Sequence, residues 1–285
     1  MTSVIIVQYG HPELTRQAVQ SLMLHSKHAV DVVVVDNGSP DPGGSSTAGG
    51  GDPCRIIRNG KNLGFGAANN IGARATQGDL ILFLNSDTVV HGEILPEIEA
   101  YFARTPRCGA AGLRLLNTDG TLQNSTGKIP TVWSIWNTRR RDYLYHAPDP
   151  VRRDWVSGAA LVVRRSVFEE VGGFDEGYFM YFEDVDLCAR IRAAGHEIHY
   201  IPGVSVEHLA GGSQERGMSV LVAKEFRKSQ ILCYSRYSSV ADNVLLRAYL
   251  LARFIPQVIL GGRDRREVAL HVLSIIVRPA GEHRH

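Results

Sequence analysis

Val32-Val33-Val34-Val35-Asp36-Asn37-Gly38-Ser39 is the stretch on which the fold turns. An unbroken β-branched run without polar alternation suits a strand buried on both faces of a parallel sheet, and Asp-Asn-Gly-Ser is strand-ending turn chemistry. Ser3 to Gln8 is a similar run upstream, and between the two His11 to Leu24 places Leu14, Ala18, Val19 and Leu22 at helical spacing. Strand, helix, strand is a βαβ opening. Further on, Arg55 to Arg58 reads as a short strand, Gly66 to Thr76 as a helix of small residues, and Leu80 to Leu84 as another buried strand ending in Asn85-Ser86-Asp87. Roughly the first 90 residues thus predict a nucleotide-binding α/β half, with ligands expected beyond the carboxyl ends of the strands.

Beyond it, Glu93 to Arg104 predicts a helix closed by Thr105-Pro106, and Gly109 to Leu116 a strand. Pro40 to Pro53 reads as a loop rich in Gly, Ser, Asp and Pro, and Thr126 to Pro150, with Trp133, Trp136 and Arg139-Arg140-Arg141, as a long connection. Trp155 to Arg164 resumes strand character, Arg165 to Val171 looks helical, and Asp184 to Ala194 is a helix ended by Gly195. From Met218 onward the chain reads as helices with an arginine-rich polar face. Leu245, Leu246, Tyr249, Leu250, Phe254 and Val258 repeat there at helical spacing beside Arg247 and Arg253, so peripheral membrane contact, a homodimer seam and packing on the core are all open.

With 285 residues, 44% hydrophobic and 21% charged, the chain can bury a full core. Its formal charge of +2 carries no basic excess of the size that phosphate-tracking proteins concentrate on one face, so nucleic acid is not an expected partner. Cys54, Cys108, Cys188 and Cys233 are far apart and form no CxxC pair, which argues for neither zinc nor disulfides and for a reducing compartment. Met1-Thr2-Ser3 runs directly into Val4-Ile5-Ile6-Val7 without a basic segment and a long apolar one, and a cytoplasmic location is the expectation.

Five segments carry chemistry. The carboxylate of Asp36 can accept from a pyrimidine N3–H or a ribose hydroxyl at the end of its strand. Asn59 to Asn70 combines glycines that permit close backbone approach with asparagine amides, including Asn62 and Asn69, suited to a diphosphate or a sugar. It has neither P-loop spacing nor the position of a dinucleotide fingerprint. In Asn85-Ser86-Asp87, Asp87 is the first choice for a hard divalent cation, which needs only one or two protein oxygens when phosphates and water fill the rest of its shell. Asn85 and Ser86 then face the donor. The segment Gly172-Gly173-Phe174-Asp175-Glu176, followed by Phe179 to Leu187, interleaves carboxylates with aromatics, and Asp184 at a helix start is the expected general base, its pKa raised by desolvation beside Glu183. Finally, His208 at the end of Val204 to His208 can complete a metal shell with Asp87, while Ser213 and Arg216 can hold a diphosphate. Acidic N-capping of a helix and plain turn composition are the competing readings of these same residues.

In order and spacing, these five segments resemble the inverting glycosyltransferases of family 2, most closely their rhamnosyltransferase-like branch, over about residues 3 to 216. The resemblance implies a GT-A fold, the nucleotide-diphospho-sugar transferase plan, with a mostly parallel central sheet flanked by helices and a helical C-terminal extension. It implies a glycosyltransferase domain over 1–216, with a donor-binding half to about 115 and an acceptor half after it, and the extension over 217–285. Asp36 would contact the nucleoside, Asp87 would hold Mg²⁺ or Mn²⁺ as the last member of a DxD-type motif, and the Glu183-Asp184 pair would occupy the general-base position. Asn85 replaces the first acid of that motif, which leaves the cation to the donor phosphates to a larger degree. Gln8 stands where relatives carry Asn or Thr, and Tyr9 is placed to stack on the base. Trp155, Gly158 and Asp186 are expected on the acceptor side. The partners implied are a dTDP- or UDP-linked sugar donor and a saccharide or lipid-linked acceptor, at the cytoplasmic face of a membrane. A non-catalytic sugar-nucleotide-binding protein is one competing reading; a sugar-phosphate nucleotidyltransferase is another, disfavoured because Gln8-Tyr9-Gly10-His11-Pro12 is no glycine-rich basic loop.

Overall fold

A computed structural model of the chain describes residues 1–27, 30–40, 54–129, 149–209 and 219–276. Most of the Pro40 to Pro53 loop, the bulk of the Thr126 to Pro150 connection, and Ser213 and Arg216 lie outside the described residues. In chain order the described elements begin β1 (Thr2–Gln8), α1 (Pro12–Leu24), β2 (Asp31–Asp36), β3 (Cys54–Arg58), α2 (Phe65–Arg74), β4 (Leu80–Asn85), β5 (Thr88–Val89) and α3 (Ile94–Arg104). They continue with β6 (Cys108–Leu116), β7 (Thr126–Gly127), β8 (Val151–Arg153), β9 (Trp155–Val156), β10 (Ala160–Arg164), α4 (Arg165–Glu170), α5 (Glu183–Ala193) and β11 (Glu197–His208). Three helices follow: α6 (Val220–Tyr237), α7 (Val240–Leu260) and α8 (Arg263–Ile276).

The central sheet runs β3-β2-β1-β4-β10-β6-β11-β5, with β8 also on β11, while β7 and β9 pair separately. β1, β2, β3 and β4 are parallel, and β11 is parallel to β6, whereas β10 runs against both of its neighbours, β4 and β6. The mostly parallel, helix-flanked sheet is the architecture the resemblance implies. Successive side chains of each strand enter opposite layers. Val4, Ile6, Val32, Val34, Leu82 and Leu84 meet Leu22 of α1 and Ile98 and Phe102 of α3. Ile5, Val33, Val35, Ile81 and Phe83 meet Ala68 of α2, Phe168 of α4 and Leu187 and Ile191 of α5. Both faces are covered, which is why the runs are uniformly apolar.

Two features depart from the expectation. Trp155 to Arg164 is two strands, separated by Ser157-Gly158-Ala159. β11 begins well before Val204, and its register slips between Ile201 and Ser205, around Pro202 and Gly203, where proline cannot donate to the ladder.

The C-terminal helices pack a cluster of their own, from Ile231 and Tyr234 of α6, Leu246, Leu250 and Phe254 of α7, and Val272 and Ile275 of α8. The other side of α6 sends Leu232 and Cys233 against Tyr178 and Val185. One helix therefore faces both the extension and the segment that carries Asp184.

Candidate active site

In the order β3-β2-β1-β4 the chain steps outward from β1 and then returns to its other side, so the carboxyl ends of β1 and β4 flank a topological switch point. The ladders pair Gln8 with Asp36 and Val7 with Asn85, which sets three of the expected donor residues on one edge. Asp36 is buried, and its Oδ1 accepts from the Ser39 amide at 3.1 Å, while the Ser39 hydroxyl accepts from Gly10 N at 3.0 Å. Tyr9 projects into solvent beside them.

The loops at this edge are tied by one asparagine. Asn37 Nδ2 donates to Asn62 Oδ1 at 2.9 Å and to the Gly64 carbonyl at 3.1 Å, and its Oδ1 accepts from Asn59 Nδ2 and Leu63 N, each at 3.0 Å. Gly38 and Gly64 have φ of +79° and +92°, and a Cβ on either would sit 2.4 Å from the backbone of Lys61 or Phe179. These two glycines are required both by conformation and by close approach.

The residues expected to hold a metal lie at the ends of β4 and β11. Asp87 Oδ1 is 3.1 Å from His208 Nε2, and Asn85 Nδ2 is 3.2 Å from the same nitrogen. Behind the ring, Gln123 Nε2 donates to the His208 carbonyl at 2.7 Å and Gln123 Oε1 lies 2.8 Å from Nδ1. A carbonyl only accepts, so the Gln123 amide nitrogen must face it and Oε1 must face Nδ1, which therefore carries hydrogen. The Nε2 lone pair is thereby turned toward Asp87 and the Asn85 amide. A lone pair and a carboxylate oxygen this close can share a proton or a divalent cation, and cis ligands of an octahedral shell with bonds of about 2.1 Å lie about 3 Å apart. The donor set fits Mg²⁺ or Mn²⁺ with two protein ligands and a neutral amide at its edge. Among the described residues no group of three or more His, Cys, Asp and Glu that could hold a metal ion is present, so such a cation would be completed by other oxygens.

The general-base position is at the start of α5. Asp184 Oδ2 accepts from the Gly158 amide at 3.0 Å and its Oδ1 from Val185 N at 2.8 Å. Burial raises the pKa of Asp184, against the pull of those two amides. Glu183 is 6% exposed, its Oε2 has no hydrogen-bond partner, and burial together with the Asp184 charge pushes its pKa up to about 8. Burial raises both carboxyls, but only Asp184, partly buried, holds backbone amides on both oxygens, so it is the member of the pair whose charged form is hydrogen-bonded. The turn before them is strained, since Tyr181 and Phe182 both have left-handed φ, 65° and 66°, where side chains other than glycine cost about 1–3 kcal/mol each. Helix α6 holds that turn. Phe226 packs on the rings of Tyr181 and Phe182 at 5.3 and 5.4 Å between centroids, and Ser229 Oγ donates to the Met180 carbonyl at 2.8 Å.

The two arms are joined by Ser157-Gly158-Ala159. Gly158 N binds Asp184, and the next residue's carbonyl, that of Ala159, accepts from Asn85 N at 2.9 Å. Gly158 also lies against Phe65, whose Cε1 would be 3.1 Å from an added Cβ.

Several expected site residues have other tasks. Asp186 is 0% exposed and accepts from Arg190 Nε at 2.8 Å, Arg236 at 3.1 Å and the Tyr237 hydroxyl at 2.6 Å, so it is a buried ion-pair hub joining α5 to α6 and has no acceptor surface. Asn69 is 1% exposed and donates to the Phe65 carbonyl of its own helix, and Asn62 Oδ1 is engaged by Asn37 and Gly64 N. Trp155 is half-buried, with Nε1 donating to the Lys128 carbonyl at 2.9 Å. Ser86 sits in the turn between β4 and β5. Sequence reasoning missed Gln123, Asn37 and Asn70. Asn70 bridges α2 to Phe174, through Nδ2 to the carbonyl and Oδ1 to the amide, each at 2.9 Å. Only a glutamine in an unpatterned loop marks the first, and turn composition the second.

Comparison with known proteins gives the family and the fold. The family model described as glycosyl transferase family 2 matches residues 3–172. The N-acetylglucosaminyl-diphospho-decaprenol L-rhamnosyltransferase of Mycobacterium tuberculosis is 30% identical across 88% of this chain and 92% of its own length. Rhamnosyltransferase WbbL of Escherichia coli K12 is 29% identical across 74% of this chain and 84% of its own. Among solved structures, GalNAc-T7 with UDP, GalNAc and Mn²⁺ superposes with a TM-score of 0.61 at 19% identity, over 82% of this chain and 49% of that one, a likeness of fold. A match of that extent, on a sheet whose carboxyl edge carries the expected acids, is sufficient: the chain belongs to glycosyl transferase family 2.

Proposed function

We propose that this glycosyltransferase moves L-rhamnose, with inversion, from a dTDP- or UDP-linked donor to a lipid-linked or saccharide acceptor during assembly of a cell-surface polysaccharide, at the cytoplasmic face of the membrane. The rhamnosyl and lipid-linked parts of this reading come from the two relatives' names. The observation that carries the chemistry is the Ser157-Gly158-Ala159 bridge, which fixes the Asp87/His208 arm and the Asp184 carboxylate to one short piece of chain. Residues 1–216 supply the reaction and the helices after them the support.

In this mechanism Asp36, with Gln8 and Tyr9, positions the nucleoside at the switch point. Asp87 and His208 would hold Mg²⁺ or Mn²⁺, and Asn85 and Ser86 border the phosphates. The cation, when bound, neutralises charge that builds on the departing diphosphate. Ser213 and Arg216 are proposed, from their sequence positions alone, to contact the same group. Asp184 takes the proton of the acceptor hydroxyl as its oxygen bonds to the anomeric carbon and the bond from that carbon to the diphosphate oxygen breaks. The Gly158 amide aims the carboxylate. Glu183, neutral, spares Asp184 a second adjacent charge, and the open side toward Trp155 receives the acceptor.

The test is transfer from dTDP-rhamnose to an N-acetylglucosaminyl-diphospho-polyprenol analogue, with EDTA and with Mg²⁺ or Mn²⁺ restored. Expected are product of inverted anomeric configuration, loss with EDTA and recovery with either cation. Tight donor binding without turnover would favour a sugar-nucleotide-binding protein, and release of pyrophosphate a nucleotidyltransferase.

A further inference from the structure

Helix α7 is apolar on both sides, and only one side is used. Leu246, Leu250 and Phe254, at helical spacing, are buried against α6 and α8. On the opposite side Val244, Leu245, Ile255 and Ile259 are 46–71% exposed, and the positions between them, Ala248 and Ala252, are exposed alanines. Every charged group of the helix is drawn off this stripe. Asp242 lies in the N-terminal turn with Ser239, Arg247 reaches the Ile276 carbonyl and Asn243, and Arg253 leans along the helix to the Tyr249 hydroxyl. By composition and its 21 residues the helix is long and apolar enough to cross a membrane, with 17% of its most apolar window buried. A contiguous exposed aliphatic stripe of this length is costly in water, and on soluble proteins such surface marks a contact.

Charge tells which contact. Between Ser219 and Ile276 there are nine Lys and Arg against four Asp and Glu, whereas the whole chain is only +2. Exposed Arg253, Arg263 and Arg265 border the far end of the stripe, close to Ile255, Ile259 and Leu260. A second copy laid parallel to this helix would bring those guanidinium groups toward their own kind, and an antiparallel copy would meet them with no acid of its α7 but Asp242 in the first turn. Anionic lipid headgroups complement them.

We propose that α7 lies flat in the interface of an anionic bilayer, with Val244, Leu245, Ile255 and Ile259 in the acyl boundary and Arg253, Arg263 and Arg265 among the headgroups. The helix is about 32 Å long, close to the thickness of a hydrocarbon core, yet its inner stripe is committed to α6 and α8, so it lies along the membrane and does not cross it. Because α6 is the helix that holds the Tyr181-Phe182 turn, docking α7 sets the base at a fixed height above the lipid surface. That last consequence rests on the proposed lipid-linked acceptor; the membrane contact does not.

Flotation of the full chain with vesicles of phosphatidylcholine, alone or mixed with phosphatidylglycerol, tests the contact without any sugar nucleotide. The wild-type protein is expected to float with the mixed vesicles and to be released by high salt. The variant carrying Leu245→Glu, Ile255→Glu and Ile259→Glu, all at exposed positions, is expected to lose vesicle partition at least roughly tenfold while keeping transfer to a water-soluble acceptor. Arg263→Glu with Arg265→Glu should weaken binding to mixed vesicles only. A wild-type chain that stays in the soluble fraction overturns the proposal, as does undiminished binding of the triple variant. A wild-type dimer that the triple variant converts to monomer, with no vesicle binding, overturns it in favour of a second copy. Vesicle binding without any transferase activity would retain the membrane contact and remove the proposed function alone.

Discussion

On the donor side of the site, position is set by backbone. Gln8, Asp36 and Asn85 end strands whose registers are locked by ladders, and the loops beyond them are drawn together by Asn37 and by glycines that allow close approach. On the base side, position is set by side chains from far along the sequence. Asp184 leaves a strained turn that Phe226 and Ser229 press from outside, and Asp186, one turn into the helix, is pinned by Arg236 and Tyr237 of the same distant helix. The first arrangement depends on strand pairing and nearby loops. The second depends on contacts from the C-terminal helices.

The contrast can be broken most severely at the base itself. Asp184→Asn removes the proton acceptor while retaining the side chain's size and one of its two amide contacts, and should lower transfer by about 10²–10⁴-fold with donor affinity unchanged, read by steady-state turnover and by calorimetric titration of the sugar nucleotide. Next comes Asp186→Ala, which leaves Arg190 and Arg236 facing an empty buried position. Stripping one partner from a buried ionic cluster costs about 3–5 kcal/mol, measurable by urea unfolding, and donor binding should outlast transfer as denaturant rises. If both activities fail together, the two sides are not held independently.

Gln123→Ala sharpens the comparison from the donor side. Freed from its clamp, His208 can present either nitrogen, and Mn²⁺ affinity in the presence of nucleoside diphosphate, followed by electron paramagnetic resonance, should fall about 10–100-fold with thermal stability nearly unchanged. The smallest effect is Glu183→Gln. The folded-state pKa of about 8 lies above the ordinary 4.5, so the neutral form favours folding, and that stability is whole below about 4.5 and lost as pH rises through 8. The glutamine variant should match the wild type at pH near 4.5 and exceed it by about 1–3 kcal/mol above 8, read from unfolding midpoints across pH.

What the sequence disclosed follows the same division. β1, β2 and β4 were legible because burial on both faces leaves no polar residue in the run, and the placement of Asp36 and Asp87 at the strand ends because a strand must end where the apolar run ends. α5 was legible from its acidic start and from Gly195. The direction of β10 was not, since Ala160 to Arg164 reads alike in either sense and only pairing with β4 and β6 settles it. Asp186 was expected on the acceptor side because the residues that bury it, Arg236 and Tyr237, lie some fifty positions on and meet it only in the fold. Gln123 could not be found, because its value lies wholly in reaching both the ring and the carbonyl of His208 from another loop.

The reversed strand has a further consequence. Because β10 starts at the edge where β4, antiparallel to it, finishes, the three residues that lead into it would serve, in the proposed mechanism, as a ruler between leaving group and attacking oxygen. Loops on the outer rim can lengthen or change composition to greet other acceptors without recalibrating that span. One residue inserted between Gly158 and Ala159 would shift the whole measure.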